Sequence, residues 1–201
     1  LRARHPLSVE VLDDLQDAAQ KSPVMYDRED AHYGTVSAFI KSMRGSDPDA
    51  ALYWMAKMIY AGEDPLFIAR RIAIAASEDV GNADPRALVV ATAAYQTVER
   101  IGMPEGMIPL AQAAVYVAAA PKSNASYLGI KAALRDIEQG DVLAVPDHLK
   151  DAHYKGAQRL GRGKGYQYPH DYPGHHVAQD YLPQKREYYR PTEQGEEKRI
   201  K

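Results

Sequence analysis

The stretch Ile68–Pro85, IARRIAIAASEDVGNADP, decides how this chain reads. Phe67, Ile68, Ile72, Ile74, Ala75 and Ala76 make it apolar almost all round, the pattern of a central helix in a helical domain. Gly81 supplies the stop, because glycine enters the left-handed cap conformation without a steric cost. Asp84-Pro85 then starts another helix: the aspartate accepts from free N–H groups, and proline at the first helical position needs no N–H partner. Arg70 and Arg71 interrupt the apolar surface, and Glu78 falls two turns beyond Arg71 on roughly the same face. An arginine buried on so apolar a helix has to be paired. The expected structural ion pair is therefore Arg71 with Glu78, with Asp79 helping to finish the helix.

The same punctuation recurs on both sides. Ser37, Ala38, Phe39, Ile40 and Met43 form a helix ended by Gly45, and Asp47-Pro48 opens the next, ended by Gly62. Asp64-Pro65 opens the helix that Gly81 ends, and the Asp84-Pro85 helix runs to Gly102. Pro104 opens a fifth, ended by Pro121, and Ser123 or Asn124 caps a sixth, ended by Gly140. Asp-Pro starts with glycine stops are helix boundaries. Residues 25–140 thus read as a compact all-α bundle, with no strand-like alternation before residue 141. The fourth and fifth helices are dense in alanine, which lets helix axes approach closely. Connections of a few residues make consecutive helices near-antiparallel neighbours.

Outside the bundle the signals thin. Ser8–Ala19 carries a narrow apolar stripe of Val9, Leu12 and Leu15, an amphipathic helix that needs a neighbour to cover it. Lys21–Ala31 reads as a linker. Because the chain opens at Leu1 rather than methionine, it is expected to be a piece of a longer protein. After Asp141, Val142–Val145 reads as an extended strip and Asp147–Tyr154 as a short helix. Gly156–Gly174 holds five glycines and reads as irregular, with Tyr166, Tyr168, Tyr172 and Tyr181 as anchors that would hide their rings. Glu193–Lys201 reads as a fraying charged end, so residues 141–201 form a Tyr/Gly-rich C-terminal arm.

There is no cysteine among the 201 residues, which excludes disulfides, thiol catalysis and cysteine zinc sites. The longest apolar run, Ala113–Ala120, is too short to span a bilayer as a helix. Net charge is −2, but unevenly spread: residues 1–150 carry 15 Lys/Arg and 20 Asp/Glu, residues 151–201 carry 10 and 7. The basic end also holds 7 of the 14 tyrosines. Lys150, Lys155, Arg159, Arg162 and Lys164, interleaved with Tyr154, Tyr166 and Tyr168, suit a nucleic-acid strand: cations for the backbone, rings for the bases. The alternative is a solvated tail whose tyrosines pack on the bundle.

Other constellations are weaker. Gly161-x-Gly163-x-Gly165 lacks the preceding strand and following helix of a dinucleotide site. His170, Asp171, His175 and His176 are metal-capable, but a metal site needs ligands fixed by surrounding hydrogen bonds, and this segment is rich in glycine and proline. Glu78 and Asp79 are an acid/base pair only in sequence, since adjacent helical residues point about 100° apart. Arg70-Arg71 could bind phosphate, or could bridge to a neighbouring subunit through guanidinium forks, with a structural or interface pair the first choice.

Taken together, several blocks resemble the C-terminal region of the replication-associated recombination protein A family of AAA+ ATPases (bacterial MgsA, eukaryotic Werner helicase-interacting protein). They are His32-Tyr33, Ser37–Ser42, Arg44–Tyr53, Ala69–Arg71, Ala76–Pro85 and Ala120–Asn124, joined in the tail by Gly163–Asp171 and Tyr181–Pro183. The resemblance runs from about residue 25 to the end, and residues 1–20 look like the end of the ATPase lid. It implies a helical domain similar to the collar of clamp-loader subunits. It also implies that this region assembles the protein into a homotetramer. ATP and Mg would belong to an ATPase core outside this chain, so no catalytic, cofactor or metal residue is carried over here. The implied partners are further copies of the chain, DNA as single strands or fork ends, and a single-stranded DNA-binding protein. The implied location is cytoplasmic, at the nucleoid.

Overall fold

A computed structural model describes residues 29–152 and 160–200. The expectations for residues 1–28, including Ser8–Ala19, lie outside it, as do Tyr154, Lys155 and Arg159. Among the described residues there are six α-helices, in order α1 (Glu29–Arg44), α2 (Pro48–Tyr60), α3 (Pro65–Ala75), α4 (Arg86–Ile101), α5 (Met107–Ala119) and α6 (Ala125–Glu138). Short 3₁₀ turns occupy much of the rest, and no strand occurs among the described residues. The protein is all-α, as its helix punctuation implies. No helix among the described residues is long and apolar enough to cross a membrane.

The Asp-Pro starts work locally. Asp47 accepts from the Ala50 N–H at 2.9 Å and Asp64 from the Leu66 N–H at 2.9 Å, each with proline in the first turn. α1 starts at Glu29, inside the stretch that reads as a linker. The third helix does not run unbroken to Gly81. α3 closes at Ala75, and a single π-turn, Ala76–Val80, carries the chain onward before a 3₁₀ turn over Gly81–Ala83. A π-turn inserts one residue into the α-register and rotates the downstream side chains by about 100°.

The described residues form two compact units, the first made of residues 29–127 with 191–200, the second of residues 128–152 with 160–190. In the first, α1 packs on α2, α3 on α4, α4 on α5 and α2 on α5. Its centre is made of Phe39 and Met43 from α1, Met58 from α2, Ile68 and Ile72 from α3, and Leu110 and Val117 from α5, all essentially inaccessible. α4 turns Ala87, Ala91, Ala94 and Val98 inward, and α5 adds Ala113, Ala114 and Ala118. Methyl-sized side chains along this seam permit close axes, as the alanine density implies.

Residues 191–200 belong to this unit and are tied down by hydrogen bonds, where a fraying charged end is expected from the sequence. The Glu196 N–H donates to the Ala83 carbonyl at 2.8 Å. Glu197 is fully buried, its carboxylate accepting from the Thr192 N–H at 3.1 Å and the Thr192 hydroxyl at 2.5 Å. Gly195 (φ 50°) lies so close to Ala83 that a Cβ there would sit 2.0 Å from its carbonyl oxygen. A buried carboxylate is tolerated because its oxygens are met by donors.

In the second unit, Asp136 on α6 accepts from the Tyr188 hydroxyl at 2.7 Å and from Arg186 at 3.5 Å, and Arg186 also pairs with Asp141. Asp147–Leu149 is one 3₁₀ turn rather than a helix reaching Tyr154. Val142 and Val145 stay exposed. Tyr166, Tyr168, Tyr172 and Tyr181 are exposed rather than buried as anchors; Tyr188 is a tyrosine tied down by its hydroxyl.

Asp84 couples α4 to α5. Its buried carboxylate accepts from Arg86 Nε at 2.7 Å and from the Tyr116 hydroxyl at 2.8 Å. Those bonds, Arg86's first, hold it below the ordinary carboxylate range against the opposing effect of burial. Its contribution to stability is therefore complete above the unfolded-state pKa, near about 4, and is lost as pH falls through the lower folded value. Urea unfolding along a descending pH series is expected to show this acid-side loss, and Asp84→Asn to shrink it.

Candidate functional site

Three places in the molecule concentrate chemistry. The first is a polar pocket of about 440 Å³ in the first unit. α1 delivers Arg44 from its last turn, the π-turn delivers Glu78 and Asp79, and the α5–α6 connection delivers Lys122, Ser123 and Asn124, with Tyr127 and Thr192 at its sides. Arg44 Nε donates to Asp79 Oδ1 at 2.5 Å and its Nη2 to Glu78 Oε1 at 3.0 Å. Its guanidinium pKa is raised, first by the Asp79 bond. Asp79 is 7 % exposed, and its Oδ2 is buried without a hydrogen-bond partner among the described residues. Lys122 donates from Nζ to the carbonyls of Ala118 (2.8 Å) and Ala120 (2.6 Å), and burial pushes its ammonium pKa down. Gly81, at φ 52°, lets its turn lie against Ser123, whose carbonyl oxygen would be 2.8 Å from a Cβ.

This geometry corrects the expected ion pair. Glu78 pairs with Arg44, not with Arg71. The physical reason is the π-turn: its extra residue rotates Glu78 off the face that Arg71 occupies on α3. Arg71 is half-buried, and its Nε has no hydrogen-bond partner among the described residues. Arg70 turns outward, pairing with Asp64 at 3.3 Å and lying over the Phe67 ring at 5.8 Å. The residues that sequence reasoning missed are Arg44 and Lys122. Both stand in the blocks Arg44–Tyr53 and Ala120–Asn124 that carry the family resemblance, and the fold brings these blocks together with Ala76–Pro85 around one cavity.

The second place is apolar. α5 carries no charged residue, yet Met107 and Ile108 are about half exposed or more and Val115 is partly exposed. Between α2 and α5 runs a groove made of two adjoining hollows, about 630 and 440 Å³, that share Leu52 and Ala111. One hollow extends along Val115, Tyr116 and Ala119, the other along Met55, Ile59 and Met107. On α4, Leu88 and Val89 are also exposed and line a separate shallow hollow.

The third place is the basic and aromatic strip in the second unit. Lys150 pairs with Asp147 at 2.6 Å and holds that carboxyl below its ordinary range. Arg162 lies in the field of the same aspartate, and the Gly163 N–H donates to the Asp147 carbonyl at 2.8 Å. The fold thus gathers Lys150 and Arg162 about an acid, while Lys164 is exposed. Beyond them Tyr168, His170 and His175 form an exposed row of rings with centroids 5.1 and 4.9 Å apart. No group of three or more metal-capable His, Asp or Glu side chains occurs among the described residues.

Residues 45–201 match the family model described as MgsA AAA+ ATPase C terminal. The chain is 48 % identical over 188 residues to replication-associated recombination protein A of Bacillus subtilis, covering 92 % of this chain and 44 % of that protein. It is 47 % identical over 187 residues to replication-associated recombination protein A of Escherichia coli K12, covering 91 % and 42 %. An AAA domain-containing protein of Mycobacterium tuberculosis is 54 % identical over 190 residues, covering 92 % and 42 %. The chain belongs to the MgsA family of AAA+ ATPases, as part of its C-terminal region, and spans less than half the length of these relatives.

Proposed function

We propose that this domain assembles its parent AAA+ ATPase into a homotetramer acting in replication-fork maintenance and recombination. The observation that carries this reading is α5, a 13-residue helix without a charge that leaves Met107, Ile108 and Val115 in solvent beside an apolar groove. A helix apolar on every side belongs in an interior. Water contact on this one is relieved when another copy covers it, and homo-oligomers close by symmetric patches of this kind. Assembly would hold several ATPase modules at high effective concentration on one DNA molecule. In this reading ATP and Mg bind the ATPase core of the parent, this chain supplies no catalytic residue, and the protein works in the cytoplasm at the nucleoid. DNA, as single strands or fork ends, and a single-stranded DNA-binding protein are its expected partners.

Sedimentation of the 201-residue chain at tens of micromolar tests the assembly reading. A tetramer is expected, and Ile108→Glu combined with Val115→Glu should dissociate it, because each buried charge would go unpaired. A monomeric wild-type chain at that concentration sinks the proposal.

A second reading rests on the exposed rings of Tyr166, Tyr168, His170 and His175, in a stretch of sequence that also carries the cations Lys150, Lys155, Arg159, Arg162 and Lys164, a composition that suits single-stranded DNA. Neutralising the five cations together is expected to weaken strand binding and flatten its salt dependence. An unchanged salt slope removes this reading.

A further inference from the structure

The polar pocket of Arg44, Glu78, Asp79, Lys122 and Asn124 lies apart from the apolar groove of the assembly reading, and its chemistry is unfinished. Its two cations and two anions cancel, so it makes no demand for a phosphate or a metal ion. What it lacks is hydrogen bonds. Arg44 uses Nε and Nη2 on the two carboxylates, and Nη1 has no partner among the described residues. Lys122 commits two ammonium protons to backbone carbonyls and keeps a third. Glu78 uses Oε1 only, and Asp79 Oδ2 is buried with nothing to accept from. An acceptor left so is costly unless a donor reaches it. The Asn124 amide makes no hydrogen bond among the described residues and is exposed at the rim. The cavity, about 440 Å³, falls in the range of about 300–1,000 Å³ typical of small-molecule sites.

A fitting ligand is neutral and flat, with adjacent donors for the Glu78 carboxylate and an acceptor beside them for Arg44 or Lys122. It also benefits from a face to lay against Tyr127. We propose that this pocket takes a guanine base. Guanine carries N1–H and N2–H side by side, two donors that the one accessible carboxylate, Glu78, can accept together, with O6 next to them as the acceptor for Arg44 or Lys122. Adenine offers a single donor on that edge, next to an acceptor that would face a carboxylate. Thymine offers one donor between two acceptors. The base can come from a single strand, by turning out of the stack, or from a free nucleotide; the chemistry is shared, and the experiment separates the sources.

The test uses the 201-residue chain and fluorescence anisotropy with labelled thymidine oligonucleotides. Each carries one central guanine, hypoxanthine (guanine without its N2 amine) or adenine, or none. Binding of the guanine oligonucleotide is expected to be at least about tenfold tighter than that of the all-thymidine one, with hypoxanthine losing most of the gain. Glu78→Gln and Asn124→Ala should each erode the preference for guanine, with thermal melting confirming that the variants are folded. Competition by free guanosine monophosphate but not adenosine monophosphate, with no preference among oligonucleotides, assigns the site to a free nucleotide. Equal affinity for all four oligonucleotides together with no selective binding of guanosine monophosphate overturns the proposal. So does a guanine preference that survives both substitutions.

Discussion

Gly81→Ala is expected to destabilise the chain by roughly 3–5 kcal/mol, from backbone strain and a clash that cannot relax. Gly81 holds φ 52° and ψ −133°, a region that side-chain-bearing residues rarely enter. A Cβ there would lie 2.8 Å from the Ser123 carbonyl oxygen, a backbone atom with no rotamer through which to retreat. Two effects therefore add at one position, and both fall on the turn that sets Lys122 and Asn124 against Glu78 and Asp79. Gly62 is the matched control. It too has a positive φ, 83°, but its added Cβ would meet nothing within 4 Å, so Gly62→Ala should cost about 1–2 kcal/mol of local strain alone. Urea titrations of both variants check the contrast. If Gly81→Ala falls within about 1 kcal/mol of Gly62→Ala, the close approach to Ser123 is not what fixes this turn.

The sequence announces its helix starts because capping is a local transaction: Asp47 and Asp64 bond N–H groups two or three residues away. The alanine seam of α4 and α5 is legible for a similar reason, since the inward spacing of Ala87, Ala91, Ala94 and Val98 is a property of one helix. The π-turn is not legible. Ser77-Glu78-Asp79 has no glycine, proline or unusual spacing to mark it, and the ion pair of Asp79 with Arg44 that accompanies the widened turn is a tertiary contact across 35 residues. That one added residue separates Glu78 from Arg71 and creates the polar pocket. The buried end of the chain is hidden for a different reason. Glu197 has the composition of a frayed tail, and its burial depends on Thr192 beside it and on the Ala83 turn, which lies more than a hundred residues earlier in sequence.

Tyr166, Tyr168, Tyr172 and Tyr181 show the limit of composition. A tyrosine in a glycine-rich segment is equally an anchor or a presented ring, and nothing local distinguishes the two. Tyr188 is held because Asp136 stands where its hydroxyl can donate, a relation across 52 residues. The pocket is legible only in pieces. Each of its three segments stands out in sequence, but their meeting depends on how α1, α3 and α5 end at one place in the bundle.

That meeting point is held by a single side chain. Arg44→Met should remove the guanidinium that pairs with both Glu78 and Asp79, leaving Asp79, 7 % exposed, as a carboxylate without a cation bonded to it. Breaking a buried pair by deleting one partner costs about 3–5 kcal/mol, but the Arg44 side chain is 48 % exposed, and water will screen part of the loss. The expected destabilisation is about 2–3 kcal/mol, with Lys122, whose field also reaches Asp79, limiting it further. The penalty belongs to the stranded charge more than to the missing bonds, which makes a specific prediction for the double variant. Asp79→Asn alone should also destabilise, because its amide meets Arg44 with one oxygen and no charge. In the Arg44→Met background the same change should restore stability, since a neutral amide is far cheaper to bury than an unpaired carboxylate. A double-mutant cycle by urea unfolding reads this as a coupling of at least about 1 kcal/mol. Additive effects would mean that Arg44 stabilises the junction by packing its alkyl chain against the end of α3 rather than by neutralising Asp79.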